Sequence, residues 1–441
     1  MKAGGFYAAV GVLAVLGGLL WWTNKHPQTD KKTATATPTK LVSVESSQME
    51  QIRIAKPGSD PLTLKKVSDI WQITEPKALP ADSEAVSPLT GALSSIDTDR
   101  LIDENPSSLE PYGLTSGATE IDITQKGGKV TKLLLGSATP AGSDTYIKLG
   151  SDPKVYTISS TVKSNFDKGI DDLRDKRLMS FNQNKLASLT LTAKGPAVEF
   201  TKSKDGDWQI VKPKPMRADP LQVDDLVRKL LDAKMDLAGN YDPKDAAAKF
   251  NAGTKTASAS VTDDRGTQSM EVRKDKDGTY YAKSSAVDGN IYKIAADIGD
   301  GLNKGADDYR TKKVFDFGFN DPSKLEINGQ AYDKAADKWT ASGVQFDPNT
   351  LQNVIDKLRD LTATKFSEKM GGTKTLSIGI TAGDNHRHEQ VTINKDGELY
   401  DAQRTDDPTV YILDAKSVDD LQKAVSEIKQ YQPPKPPAAK K

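Results

Sequence analysis

The chain contains no cysteine, which excludes disulfide staples, thiolate metal sites and cysteine nucleophiles together. It has no excess charge of either sign, with 61 Lys plus Arg against 61 Asp plus Glu. That balance removes the broad positive field on which non-specific nucleic-acid binding depends. No phosphate-cradling glycine loop followed by Lys-Ser or Lys-Thr occurs, and no Gly-x-Ser-x-Gly, so nucleotide hydrolysis and ordinary hydrolase chemistry have no motif to rest on. Long apolar runs are absent as well, with one exception at the amino terminus. Hydrophobic content of 36% and charged content of 28% fit soluble domains with a wet surface rather than a polytopic membrane protein. A chain of 441 residues exceeds one ordinary core and is expected to hold about two to four domains, so internal repetition is the first question.

The exception runs from Gly5 to Trp22, GFYAAVGVLAVLGGLLWW, without a charge. Its 18 residues, wound as a helix, span roughly 27 Å, about the thickness of bilayer hydrocarbon. Trp21 and Trp22, followed by Thr23, Asn24 and Lys25, supply an interfacial aromatic belt and a polar stop. Residues 1–22 are therefore expected to be an uncleaved transmembrane anchor. The competing reading is a cleaved signal peptide, but the nearest small-x-small triplet, Ala34 to Ala36, lies well past the apolar stretch. Lys25, Lys31 and Lys32 compete with Lys2 for the cytoplasmic side, so charge alone leaves orientation open. Residues 23–40 lack hydrophobic periodicity and read as a flexible linker, and residues 432–441 as a disordered Pro/Lys tail.

Between them the tryptophans mark a period. DIWQITEP at Trp71, GDWQIVKP at Trp208 and DKWTASGV at Trp339 are spaced by 208 − 71 = 137 and 339 − 208 = 131 residues. Asp82, Asp219 and Asp347 follow, each opening a helical pattern; Asp219-Pro220 and Asp347-Pro348 place an N-cap carboxylate before a proline whose missing N–H costs nothing there. Val86, Leu89, Leu93 and Ile96 recur at helical spacing, as do Val223, Leu226 and Leu230, and then Leu351, Val354, Leu358 and Leu361. Two hairpin patterns come next in each copy, and they align Tyr146 with Tyr281 and Tyr400, and Tyr156 with Tyr292 and Tyr411. A last helix follows. The expected fold class is α+β: a transmembrane helix, then three tandem repeats with mostly antiparallel sheets at 41–181, 182–318 and 319–431, the third divergent.

The segments LEPYGLTSGATEIDIT at 109–124, LLLG at 133–136, KVYTI at 154–158 and DDLRDKRL at 171–178 resemble the bacterial domain-of-unknown-function 4340 family. The resemblance is clearest over 41–181 and extends through 182–317. It implies a membrane-anchored extracytoplasmic protein associated with ABC-type transport components like those of gliding-motility systems, with the amino terminus inside. It carries over no catalytic residue.

The most specific polar signature is Asp171-Asp172-x-Arg174, repeated as Asp307-Asp308-x-Arg310. Such a set either binds a partner or pairs locally and ties the last helix to the next unit, and the local reading is the commoner fate of surface charge clusters. His386 and His388, with Asp384 and Glu389, offer imidazole and oxygen ligands, but the other copies have no histidine in that turn and a wet turn is the better reading. Asp275-x-Asp277-Gly278 imitates the start of a calcium loop, yet Ala286 stands where its bidentate acid is required. Ser160-x-x-Lys163 matches a short nucleophile pattern without its companion motifs. No metal, cofactor or catalytic set is expected, and no nucleic-acid partner. The expected protein is a single-pass, inner-membrane scaffold or binding module with periplasmic repeats that contact protein partners in a transport complex. The alternative is a cell-envelope enzyme or glycan-binding module.

Overall fold

The computed structural model of the protein describes residues 39–433 except Asp205, Asn240 and Asn385. The expected anchor at 1–22 lies outside the described residues, as does the linker apart from Thr39 and Lys40, which begin a strand. Among the described residues no helix is long and apolar enough to cross a membrane. The chain divides into two compact units, Met1–Lys176 and Arg177–Lys441.

Unit one comprises β1 (Thr39–Ser43), β2 (Met49–Ala55), β3 (Leu62–Val67), β4 (Ile70–Glu75), β5 (Leu79–Pro80), α1 (Ser83–Ser94), β6 (Ser95–Thr98), β7 (Arg100–Asp103), β8 (Thr119–Gln125), β9 (Val130–Ala138), β10 (Asp144–Leu149), β11 (Val155–Ser159), α2 (Ser160–Ser164) and α3 (Ile170–Leu173). Nine strands form sheet I in the order β5-β4-β3-β2-β8-β9-β10-β11-β7, while β1 and β6 make a separate ribbon. Alternation sets its faces: Ile52, Ile54, Ile121, Ile123, Leu133 and Leu135 enter the core, and Arg53, Asp122 and Lys132 point the other way. Asp82 caps α1, accepting from Glu84 N at 2.9 Å, and Val86, Leu89 and Leu93 pack on the sheet. Ile96 departs from its expected place on that helix. The chain turns extended at Ser95, so Ile96 reaches the same core from β6.

Unit two begins with β12 (Ser188–Thr192), β13 (Val198–Lys202), β14 (Trp208–Lys212), β15 (Met216–Arg217), α4 (Pro220–Asp232), α5 (Pro243–Ala252), β16 (Thr254–Asp263), β17 (Gly266–Lys274), β18 (Tyr280–Ser284), β19 (Ile291–Ile294) and α6 (Ala296–Leu302). It continues with β20 (Pro322–Ile327), β21 (Gln330–Ala335), β22 (Lys338–Ala341), β23 (Val344–Phe346), α7 (Pro348–Asp360), β24 (Lys365–Ser367), β25 (Thr373–Ala382), β26 (Arg387–Asp396), β27 (Leu399–Arg404), β28 (Val410–Leu413) and α8 (Ala415–Ser426). Sheet II runs β15-β14-β13-β12-β16-β17-β18-β19, and sheet III runs β23-β22-β21-β20-β25-β26-β27-β28-β24. The three sheets thus share one order. A four-strand meander and a second meander join through their first strands, with a capped helix between them in sequence. Asp219 and Asp347 cap α4 and α7 through Leu221 N at 2.9 Å and Asn349 N at 3.0 Å.

The tryptophans occupy equivalent strands, and each has a lysine as its cross-strand partner: Lys66 opposite Trp71, Lys202 opposite Trp208, Lys334 opposite Trp339. The ammonium groups lie 5.2, 4.9 and 5.7 Å from the ring centroids. The tyrosine alignment needs correction in one strand. Thr145, Tyr280 and Tyr400 face Ile158, Ile294 and Leu413 across the hairpin, so Tyr400 matches Tyr280, a core residue, and not Tyr281. One residue of slip moves a side chain to the other face of a strand.

Two further differences are local. In sheets I and III the segment after the first helix contributes an edge strand, β7 or β24; in sheet II it forms α5, which sequence periodicity did not announce although Asp242-Pro243 gives the same capping signal. Ala246 and Phe250 of α5 pack on Tyr281 and Ile291, on the face of sheet II away from its main core. The closing segments also divide earlier than the boundaries at 181/182 and 318/319. Leu173 belongs to the first core but Leu178, Met179 and Phe181 to the second; Tyr309 belongs to the second but Val314, Phe315 and Phe317 to the third. Each closing segment holds the N-cap aspartate by its backbone: Asp82 N donates to Leu173 O at 2.8 Å, Asp219 N to Tyr309 O at 2.7 Å and Asp347 N to Lys429 O at 2.9 Å. The third copy keeps this bond without the Asp-Asp-x-Arg sequence.

Candidate functional site

The repeated polar signature resolves into two local devices. Asp172 and Asp308 each accept from the backbone N–H of the glycine three residues earlier, Gly169 and Gly305, at 2.7 Å in both cases. Asp171 and Asp307 face the arginine three residues later: Arg174 Nη1 is 3.9 Å from Asp171, and Arg310 Nη1 donates to Asp307 at 2.8 Å. In unit one a backbone bridge also joins Arg174 to Ala81. In unit two the contacts of Arg310 extend to the next sheet module. Arg310, 9% exposed, donates from Nη2 to Thr409 Oγ1 at 3.0 Å and lays its guanidinium 3.8 Å from the centroid of Phe366, both on the sheet III side.

Arg310 borders a larger junction that motif reading missed. Arg217, at the end of β15, donates from Nη1 to Tyr411 Oη at 2.9 Å and pairs through Nη2 with Asp316. Asp316 also accepts from Arg387 Nη2 at 3.0 Å, and its backbone N–H donates to Glu389 Oε2 at 2.7 Å. Glu389 is 1% exposed and accepts from Arg404 Nη1 at 2.8 Å; the same nitrogen donates to Val314 O at 2.9 Å. Its Oε1 has Arg387 Nε at 3.5 Å, an ion-pair distance without a hydrogen bond. Arg404 completes its fork on Asp406, with two bonds of 2.8 Å. Tyr411 donates to Asp407 at 2.6 Å.

Electrostatics follow from that packing. Burial pushes the Tyr411 phenol up; the Asp407 carboxylate adds to the rise and Arg217 opposes it. Burial alone would lower Arg404, but Asp406 and Glu389 overcome it and hold the guanidinium above its ordinary range. The Arg404 bond in turn holds Asp406 below the usual carboxylate range.

A groove of about 530 Å³ opens beside Arg310, between the second and third sheet modules, with Met216 and Phe366 in its lining and Lys194, Lys214, Asp308 and Glu368 at charged positions. Lys214 pairs with Glu368 across it, and that bond lowers the Glu368 carboxyl. The pair is exposed, so it orients more than it stabilises.

The other sequence candidates disperse. Glu389 is committed to Arg404, while His388, one residue earlier, meets Thr381 Oγ1 at 3.1 Å on the opposite face. Asp384 and His386 belong to the turn preceding β26. Among the described residues no group of three His, Cys, Asp or Glu is placed to hold a metal ion. Asp275 accepts from Asp277 N and Thr279 N at 2.9 and 2.8 Å, a turn around Gly278 at φ 86°. Lys163 is paired with Asp167 at 2.5 Å, and Ser160 Oγ reaches only Gly142 O at 3.5 Å.

One signal for the junction was available. Asp152/Tyr156, Asp288/Tyr292 and Asp407/Tyr411 stand four apart in all three copies, with hydroxyl-to-carboxylate distances of 3.5, 2.8 and 2.6 Å. The aspartates also accept from Lys154, Asn290 and Thr409 backbone N–H groups, fixing the turn that presents each tyrosine.

No curated protein and no solved structure matches the chain. The family described as Domain of unknown function (DUF4340) matches twice, over residues 71–210 and 208–379. Both matches start on a tryptophan, Trp71 and Trp208, and so repeat with the period read from the sequence. Together they span 71–379 of 441 residues, and the chain belongs to the DUF4340 family.

Proposed function

We propose that this protein is a non-catalytic, membrane-anchored scaffold whose sheet modules hold protein partners of an ABC-type transport or gliding-motility-like complex outside the cytoplasm. The observation that carries the reading is the junction in unit two. Arg217 and Arg310 leave one sheet module and end on Tyr411, Asp316, Thr409 and Phe366 of the next, so two modules are held at a fixed setting by largely buried charged bonds. A fixed pair presents its groove as a preorganised surface, which lowers the ordering cost of binding. The groove is lined by Met216 and Phe366 together with charged residues of both signs, the mix found at protein-contact patches.

The apolar segment at Gly5–Trp22 supports membrane attachment, and the extracytoplasmic role beside transport components is what the resemblance read from the sequence implies. Repetition on one tether favours multivalent contact. Capture of the full chain from detergent-solubilised native membranes, alongside a chain lacking residues 1–22, tests this. The full chain recovers a transport subunit and the shortened chain is released from the membrane fraction; recovery of no membrane partner by the full chain overturns it.

A further inference from the structure

The geometry points to the end of sheet I beside Val44 as a docking slot for an extended peptide segment that carries an acidic residue between aromatic ones. The slot lies within unit one and does not depend on the scaffold reading. It is defined by what the other two modules put in the same place.

Each module opens with an entry segment bonded to the end of its first helix: Val44 N donates to Ser94 O at 2.9 Å, Leu178 N to Ala233 O at 2.8 Å and Val314 N to Leu361 O at 3.1 Å. Beyond that bond the modules differ. The first core residue of the sheet follows after 189 − 178 = 11 residues at Leu189 and 325 − 314 = 11 at Leu325, but after 52 − 44 = 8 at Ile52. Register supports the comparison, because Ile52, Leu189 and Leu325 face Ile123, Val261 and Ile380, which in turn face Thr131, Gln268 and Glu389. The first module thus lacks three residues that run past the end of the sheet in the others, at 179–181 and 315–317.

Side chains of the sheet hold those residues. In sheet II, Gln268 Oε1 accepts from Ser180 N at 2.9 Å and Ser284 Oγ donates to Leu178 O. In sheet III, Glu389 Oε2 accepts from Asp316 N at 2.7 Å, Arg404 Nη1 donates to Val314 O at 2.9 Å and Arg387 Nη2 donates to Asp316 Oδ2 at 3.0 Å. Strand pairing puts Thr131, Leu149 and Lys129 in the places of Glu389, Arg404 and Arg387. Thr131 is short and Leu149 has no polar group, and no donor among the described residues meets the Val44 carbonyl. A groove of about 600 Å³ results, lined by Val44, Lys129, Thr131 and Leu149 together.

The chemistry selects the occupant. In the third module the chain fills this place with Val-Phe-Asp-Phe at 314–317, whose two rings are buried and whose carboxylate meets Arg387. The first module keeps the complementary groups. Both charged residues of the groove are lysines; Lys132 is bound to Glu120 at 2.9 Å, while Lys129 has no acidic partner among the described residues. Leu41, Leu149 and Val130, the last 55% exposed, offer apolar walls to an aromatic ring. A free anion satisfies Lys129 but neither the carbonyl nor those walls. An extended peptide supplies an N–H, a carboxylate and apolar side chains at once.

The test is titration of the full chain with capped Val-Phe-Asp-Phe-Gly, the sequence of residues 314–318, beside capped Val-Phe-Lys-Phe-Gly and N-acetylaspartate. The aspartate peptide binds with a Kd of about 1 mM or tighter, and a benzophenone in place of either ring cross-links it to residues 129–131 or 149–151. Lys129→Glu weakens binding at least about tenfold with an unchanged melting temperature. Thr131→Glu/Leu149→Arg, which installs the side-chain pair of sheet III, blocks it; if that double variant folds poorly, Lys129→Glu decides. No binding of the aspartate peptide, equal binding of the lysine peptide or of N-acetylaspartate, cross-links elsewhere, or affinity unchanged in the folded variants overturns the proposal.

Discussion

Gln268 and Glu389 occupy the same place in two sheets and do the same work with different charge. Gln268 Oε1 accepts from Ser180 N at 2.9 Å, and Glu389 Oε2 accepts from Asp316 N at 2.7 Å. Their companions match as well: Ser284 Oγ bonds Leu178 O, and Arg404 Nη1 bonds Val314 O. A neutral pair in sheet II is therefore replaced by a buried ion pair in sheet III.

Breaking that ion pair from one side strands a charge. Arg404→Ser leaves Glu389, 1% exposed, with the Asp316 N–H and an Arg387 Nε 3.5 Å away in place of its buried ion pair, and is expected to cost about 3–5 kcal/mol. Adding Glu389→Gln, which recreates the sheet II chemistry, is expected to recover at least about 1 kcal/mol of that loss. Urea unfolding of the two variants measures this; a double variant less stable than Arg404→Ser contradicts it.

Arg217 joins the modules of unit two. Arg217→Ala removes its bonds to Tyr411 and Asp316 and is expected to cost about 1.5–3 kcal/mol, the range for hydrogen bonds to charged groups. Limited proteolysis is expected to cut sooner between Lys312 and Asp321, the connection that the latch spans. An unchanged cleavage pattern rules out the latch.

Acid stability follows from carboxylates held low. The Arg404 bond depresses Asp406, the Ala238 N–H and then Lys293 depress Asp236, and the Ser417 N–H depresses Asp414. A group depressed in the folded state stabilises the fold above its unfolded pKa, about 3.9 for aspartate, and loses that contribution as pH falls through the folded value. These groups are expected to leave the melting temperature unaffected from neutral pH to about pH 5 and to lower it below about pH 4. Calorimetry across that range checks the sign, and a rise in melting temperature on acidification refutes it.

Gly299 sits in α6 against Tyr280, where a Cβ would lie 2.3 Å from the ring. A helical Gly→Ala change ordinarily gains about 1 kcal/mol. Gly299→Ala is instead expected to destabilise by about 1–3 kcal/mol, the usual cost of overpacking, and a stabilised variant in thermal melts contradicts that packing.

The parts of the fold legible in the sequence are those written locally. Trp71, Trp208 and Trp339 gave a period because each sits on the same strand, and Asp82, Asp219 and Asp347 marked helix starts because capping acts over two or three residues. Register was less legible: Tyr280 and Tyr281 are adjacent, and only cross-strand pairing tells which faces the core. Of the junction only the Asp407/Tyr411 spacing was legible. Arg217 meets Asp316 and Tyr411 across 99 and 194 residues, and Arg310 meets Thr409 across 99, separations at which no local pattern survives. Asp307, Asp308 and Arg310 stood out as a motif, but their reach into the next module depends on Phe366 and Thr409, which look ordinary in sequence.

The scaffold reading is tested most directly by placing a photo-activated cross-linker at Lys214, on the groove rim, in the full chain within its native membrane. The account predicts a discrete adduct with a membrane transport subunit, lost when the cross-linker is moved to Gly91, on the exposed side of α1. Adducts with no membrane protein, or the same adduct from both positions, would contradict it.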